Sequence, residues 1–195
     1  MQLTRTIAAP RALDDEAALS SKEIVMGLHW SPRDEDATAA TAATAATSDL
    51  DAICVLCDER QRVLAVIHPG CPRDAHGSVI HTGDSETGAS IWDDEQIFVF
   101  LEALPQAVTT LFFVVASAQG AHVNEVPGAA CHISDRMTED ALIELDLVKL
   151  KPAVAGCVAV LHRQTTGWRL SSGLDAIKPE MLADVLSVVS APPPS

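Results

Sequence analysis

The chain has 195 residues, nearly half of them apolar, with an ordinary charged fraction, enough for one folded domain with its own core and not a disordered chain. Its formal charge of −14 excludes the basic footprint that nucleic acid demands and opposes an anionic membrane surface; it fits cations as partners, or plain solubility. No secretory signal and no uninterrupted apolar run are visible, so the expectation is a cytoplasmic protein without a membrane span, its five cysteines reduced.

Residues 1–22 mix alanines, charges and Pro10 without a period and read as an N-terminal extension. Residues 23–190 read as a single domain and 191–195 as a Pro-rich tail. Glu23 to Trp30 is β-rich and forms the first strand. Residues 37–48 are a low-complexity loop on an Ala-Ala-Thr repeat, whose period fits neither helix nor strand; a short alanine-driven helix is the alternative. Ala52 to Cys57 and Arg62 to His68 make a hairpin about the polar turn Asp58 to Gln61. Cys71 to Gly77 is loop, and Ser78 to His81 leads into an acidic segment. Ile97 to Leu101 and Thr110 to Ala116 are strongly apolar, and Leu111 to Ala116, apolar on both faces, predicts a central strand buried on each side.

Ala129 to Ile133 is a short strand. Ile143, Leu145 and Leu147 alternate with Glu144 and Asp146, the half-buried pattern. Gly156 to Arg163 and Trp168 to Ser172 flank Thr165-Thr166-Gly167, a second hairpin. Pro179 opens a helix with Met181, Leu182, Val185, Leu186 and Val189 on one face. About ten short strands separated by turns predict an all-β antiparallel two-sheet sandwich with one C-terminal helix.

The segment from His81 to Glu95 gathers Asp84, Glu86, Asp93, Asp94 and Glu95, and its Gly83 and Gly88 break helix and strand alike. Crowded carboxylates repel, so the segment needs full solvation or a cation. Hard oxygen donors suit calcium, which takes roughly 6–8 oxygens. In a sandwich the loops at one end converge, which would bring Asp49 and Asp51 to this segment. If Asp93 to Glu95 begin a strand, Asp93 and Glu95 share a face while Asp94 points away, to bind from a kinked backbone or at a second ion. Trp92 is expected to be a packing anchor beside the site.

His81-Thr82-Gly83-Asp84, Thr87-Gly88 and Asp93-Asp94-Glu95 together resemble the signature of the bacterial tellurium-resistance TerD-type stress proteins. Gly27-Leu28-His29-Trp30, Asp49-Leu50-Asp51-Ala52 and Gly167-Trp168-Arg169-Leu170 are similar to further features of that family, in family order. The resemblance implies the same β-sandwich and a calcium-binding, non-enzymatic module, with other stress-system proteins as partners. It implies one or two calcium ions held among Asp49, Asp51, Thr82, Gly83, Asp84, Thr87, Asp93, Asp94 and Glu95. Ser85, Ala89, Ser90, Ile91 and Trp92 stand where the family has Asn, Glu, Gly, Asp and Gly, so two potential ligands and two flexible hinges are missing here.

Other chemistries fit the residues less well. An interaction or scaffold domain with a decayed metal site needs no ion at all. A metal-assisted hydrolase would use His81 near Asp84, or Asp93 and Glu95, as acid and base, but no nucleophile elbow or phosphate loop accompanies them. Zinc on Cys54, Cys57, His68 and Cys71 fails on geometry, because Cys54 and Cys57 on one strand point to opposite faces. The remaining histidines, His29 and His132 among them, show no ligand spacing and read as surface or capping residues.

Overall fold

Alternation of buried and partly exposed side chains marks the strands of the first sheet. In a computed structural model describing residues 19–31, 49–85, 88, 90, 92–173 and 179–189, that sheet holds five strands. They are β1 (Glu23–His29), β4 (Val79–His81), β5 (Glu95–Phe100), β7 (Ala130–Asp135) and β8 (Ala141–Asp146), ordered β4-β5-β1-β7-β8. The second sheet contains β2 (Leu50–Cys57), β3 (Val63–Ile67), β6 (Thr110–Ser117), β9 (Ala155–Gln164) and β10 (Gly167–Ser172), ordered β10-β9-β6-β2-β3. Every pairing is antiparallel. The expected sandwich forms, and β4 is a true strand where the sequence reading placed only a lead-in.

The core lies between the sheets. Ile24, Met26 and Leu28 of β1 meet Ala52, Cys54, Leu111 and Phe113 of the second sheet, and Trp30 closes one end. A second cluster covers the outer face of β2, β6 and β9. Ile53, Val55, Phe112 and Val114 pack there beneath helix α1 (Pro179–Val189), whose Val185 is buried with Met181, Leu182, Leu186 and Val189 around it. Strands β2 and β6 are therefore covered on both faces. That is why Leu111 to Ala116 carries no polar alternation: both pleats face apolar surroundings.

Cys54 belongs to the inner cluster and Cys57 to the outer one, as the strand period requires. Burial pushes the Cys54 thiol well above its ordinary range and Cys57 up to about 11. Neither is poised as a thiolate ligand or a redox group.

Among the described residues strand β3 is an edge of the helix-covered sheet, and its Val63 and Leu64 are exposed. A bulge between Leu56 and Cys57 disturbs its register. Asp58 accepts the backbone N–H groups of Arg60 and Arg62 and grips the Arg62 guanidinium at 2.6 Å. At the other edge the Leu19 N–H donates to the Trp168 carbonyl, so pairing into the sandwich begins within the stretch read as an extension. Residues 1–18, the Ala-Ala-Thr repeat and the Pro-rich tail lie outside the described residues.

Phe113, fully buried between the sheets, fills volume that neighbouring strands cannot collapse into. Phe113→Ala should cost about 3–5 kcal/mol in urea unfolding. Val188→Ala, at a half-exposed helix position, should stay within about 0.5 kcal/mol.

Candidate metal centre

The candidate site sits where β2 and β5 begin, one strand from each sheet. Strand β3 stops at Ile67, opposite Cys54, which leaves the start of β2 without a strand neighbour on that side. A carboxylate takes that place. Glu95 is fully buried, and its Oε2 accepts the Ala52 N–H at 2.8 Å across the two sheets. Its Oε1 accepts the Ser85 N–H at 3.2 Å. These donors hold one group in a fixed pose with both oxygens occupied by N–H dipoles.

His81, also fully buried at its side chain, stands behind Glu95. Its Nδ1 accepts the Gly83 N–H at 3.0 Å, so the neutral ring carries its proton on Nε2. Nε2 faces Glu95 Oε2 at 3.2 Å without hydrogen-bond alignment, and it remains a buried donor lacking a directed acceptor. A protonated Nε2 cannot ligate a metal; it favours negative charge on Glu95 instead.

Asp51 and Asp84 complete the group. Oxygens of Asp51, Asp84 and Glu95 all lie within 4.8 Å of one another, with Asp84 exposed and the other two buried. Burial pushes the Asp51 carboxyl up to about 7, helped by the charges of Glu95, Asp49 and Asp84 and opposed by His81. Such a cluster has to hold a proton or a cation. The donors are hard oxygens from two sheets and one loop, a chemistry that fits calcium. Asp49 contributes charge to Asp51, while its backbone carbonyl accepts the Ala118 N–H.

The other expected ligands are placed elsewhere. Thr82 extends the pairing of β4 and β5: its hydroxyl accepts the Gln96 N–H at 3.1 Å, and its N–H donates to the Gln96 carbonyl. Gly83, at φ +132, supplies the turn that lets its N–H reach His81. Thr87 lies outside the described residues.

Asp93 and Glu95 do not share a face, contrary to the strand expectation. Strand β5 begins only at Glu95, and the chain bends through residues 92–94, so alternation does not reach back to Asp93. The Asp93 carboxylate instead meets His132 Nε2 at 3.1 Å and accepts from the Gln96 amide at 2.8 Å. Burial raises its carboxyl, but the hydrogen bonds from His132 and Gln96 outweigh it and hold the group below its ordinary value. Asp94 does point away from Glu95. Its carboxylate accepts the N–H groups of Trp30 and Ser90 and lies 2.8 Å from His29 Nδ1.

These histidines were missed because their partners are distant in sequence. The signal was in the register: Gly27 pairs with His132 across β1 and β7. A Cβ on Gly27 would come within 2.2 Å of His132 Nε2 and 2.4 Å of Asp93 Oδ2, so a glycine is needed beneath that pair. Trp92 is corrected as well. It is 74% exposed, and the packing anchor beside the loop is the fully buried Trp30. Gly88, at φ +60, presses on the Trp30 indole so closely that a Cβ there would lie 2.3 Å from Nε1.

A family model described as the TerD domain matches residues 11–182 of the chain. The chain is 31% identical over 179 residues to tellurium resistance protein TerZ of Serratia marcescens, with 91% of each chain covered. It is 28% identical over 158 residues to general stress protein 16U of Bacillus subtilis, covering 77% of this chain and 78% of that one. In three dimensions it is similar to a crystal structure of a homologue of telluride resistance protein (TerD) from Streptomyces coelicolor. That match has a TM-score of 0.69 at 19% identity and covers 88% of this chain and 99% of that chain, showing the shared fold.

Two measurements check the site geometry. The ordinary value for Asp51 is 3.8 and its folded value is about 7, so the ion-free native state binds more protons than the unfolded chain between those limits. Stability in chelator should therefore fall as pH rises through that window and level off above it, and Asp51→Asn should remove this contribution. Gly27→Ala should displace His132 from Asp93 and cost about 1–3 kcal/mol in urea unfolding.

Proposed function

The chain belongs to the TerD domain family, and from that premise we propose that it is a calcium-binding, non-enzymatic module of a tellurium-resistance or general stress response. The observation that carries the reading is the convergence of Asp51, Asp84 and Glu95 from two sheets and one loop. Asp51 needs a countercharge, and a divalent cation supplies it while displacing the proton. Asp51, Asp84 and Glu95 would hold the ion, with Asp49 adding negative charge at the rim. Asp93 and Asp94 serve the site by fixing the chain that leads into Glu95, through His132 and His29.

His132 links Asp93 to the Ser134 hydroxyl at 2.7 Å, which places a serine, a histidine and an aspartate in line. Ser134 is nevertheless buried in the middle of a strand rather than raised on a turn, so no substrate carbonyl can approach it. His81 is turned to Glu95 in the buried interior and is not aimed at a cleft. Five free cysteines agree with a reducing, cytoplasmic setting. The names borne by the relatives supply the resistance and stress context, with other proteins of such a system as partners.

Calcium at 100 times its Kd should stabilise the folded chain by about 2.7 kcal/mol over the chelator form. Asp84→Asn, at an exposed ligand, should abolish that increment while leaving the ion-free form equally stable or slightly more so. Asp93→Asn should keep the increment, because its carboxylate is engaged by His132. A melting temperature indifferent to calcium in the unsubstituted chain would dismiss the reading. Calcium binding near neutral pH should also release protons, seen as a dependence of the titration enthalpy on the ionisation enthalpy of the buffer.

A further inference from the structure

Strand β3 ends the helix-covered sheet, and its outer side meets no strand among the described residues. Leu56 faces Ala65 while Cys57 faces Val63, a bulge that leaves Leu64 without a partner on β2. Val63 thus stands opposite Cys57 and Val66 opposite Val55, and both partners belong to the cluster beneath α1. Val63 and Val66 share the helix-covered face although they are three residues apart, a spacing that an unbroken strand would send to opposite faces. Helix α1 packs over β2, β6 and β9, and a groove of about 500 Å³ remains between it and β3. Val63, Val66, Met181, Val185 and Val188 give that groove an apolar bed. Val63 is 43% exposed and Val188 52%.

The helix side of the groove is acidic. Glu180 and Asp184 line it, both exposed and neither in an ion pair among the described residues. Arg62 also lines the groove, but its guanidinium is committed elsewhere: Nε and Nη2 reach Asp58 Oδ2 at 2.7 and 2.6 Å. The two helix carboxylates are therefore left to attract a cation from outside. A second copy of the chain fits poorly, since each carries the same formal charge of −14. A cationic occupant has the complementary sign, both for the rim and for the whole molecule.

An open strand edge recognises an extended chain through main-chain N–H and C=O groups, and the surface beside it selects the side chains. Side chains at every second position of such a chain would face the groove. The apolar bed takes valine-like groups there. Lysine or arginine can lay its methylene stem along the same bed while its charged head reaches the helix carboxylates. We propose that β3 and the groove beside α1 are a docking site for an extended, basic segment of a partner protein. The segment adds to the sheet as a strand, seats apolar side chains over Val66 and Val188, and meets Glu180 and Asp184 with its cations.

The test titrates the full chain with the peptide acetyl-Lys-Thr-Val-Thr-Lys-Thr-Val-amide, in about 0.15 M salt where the screening length is about 8 Å. Binding should slow hydrogen exchange at outward amides within Val63–Ile67 and shift the amide resonances of α1. Glu180→Lys with Asp184→Lys should weaken it by about tenfold or more. Glu139→Lys with Asp140→Lys makes the same charge change in the turn between β7 and β8, at the far side of the other sheet, and should leave it unchanged. Two further peptides use the unsubstituted chain, so they decide the matter whatever the variants do to folding. One carries Glu in place of Lys; the other is N-methylated at alternate bonds, which keeps its side chains but prevents pairing. Neither should bind. Failure of the basic peptide to bind, equal binding by either control peptide, or equal losses from the two double substitutions overturns the proposal. A full chain that sediments as a dimer protecting these same amides assigns the edge to a second copy and overturns it as well.

Discussion

The arrangement depends on one buried carboxylate. Glu95 sits at zero exposure between two sheets, where an unpaired charge would be costly. It is held there by the Ala52 N–H from one sheet, the Ser85 N–H from the loop and the His81 ring behind it. Each of these groups has a structural reason to be free for the task. Ala52 lies beyond the end of β3, Ser85 follows the glycine turn at Gly83, and His81 ends β4 facing inward. Polar satisfaction of Glu95 thus fixes the distance between the starts of β2 and β5. Asp51 and Asp84 are then left close to a charge that cannot move away.

The bend before β5 divides the acidic residues into two groups with different work. Glu95 turns inward to the cluster, while Asp93 and Asp94 engage His132 and His29. Those contacts tie the entrance of β5 to β1, its neighbour strand, and to β7, the next one over. The cluster is therefore held in place by hydrogen-bonded walls on one side and exposed at Asp84 on the other. An ion could enter and leave without the sandwich opening.

Much of this was legible in the sequence, and the failures have a common cause. Strand positions followed from β-rich and apolar runs bounded by turns, with period-2 alternation at Ile143 to Leu147, and the doubly covered β6 from a run apolar on both faces, because burial leaves its mark directly on composition. The helix face was readable for the same reason. The convergence of Asp51 with Asp84 and Glu95 was expected from the closing of loops at one end. What could not be read was anything set by register between distant strands. Gly27 opposite His132 is one such case, and it moved Asp93 out of the cluster. Trp92 was misread because bulk was taken as a sign of burial, whereas Trp30, paired closely with Gly88, already occupied the interior.

The open edge at β3 bears on how the protein behaves in concentrated solution. Val63 and Leu64 lie on a strand whose outer side has no strand neighbour among the described residues, a template on which another chain could add. The bulge beside Cys57 and the Arg62 grip on Asp58 roughen that template at its start. Beyond them, mutual repulsion between molecules of charge −14 keeps edges apart. That repulsion is long-ranged only in dilute electrolyte, with a screening length of about 30 Å at 0.01 M and about 3 Å at 1 M. For this edge, ionic strength rather than the depth of the core sets how closely two molecules can approach.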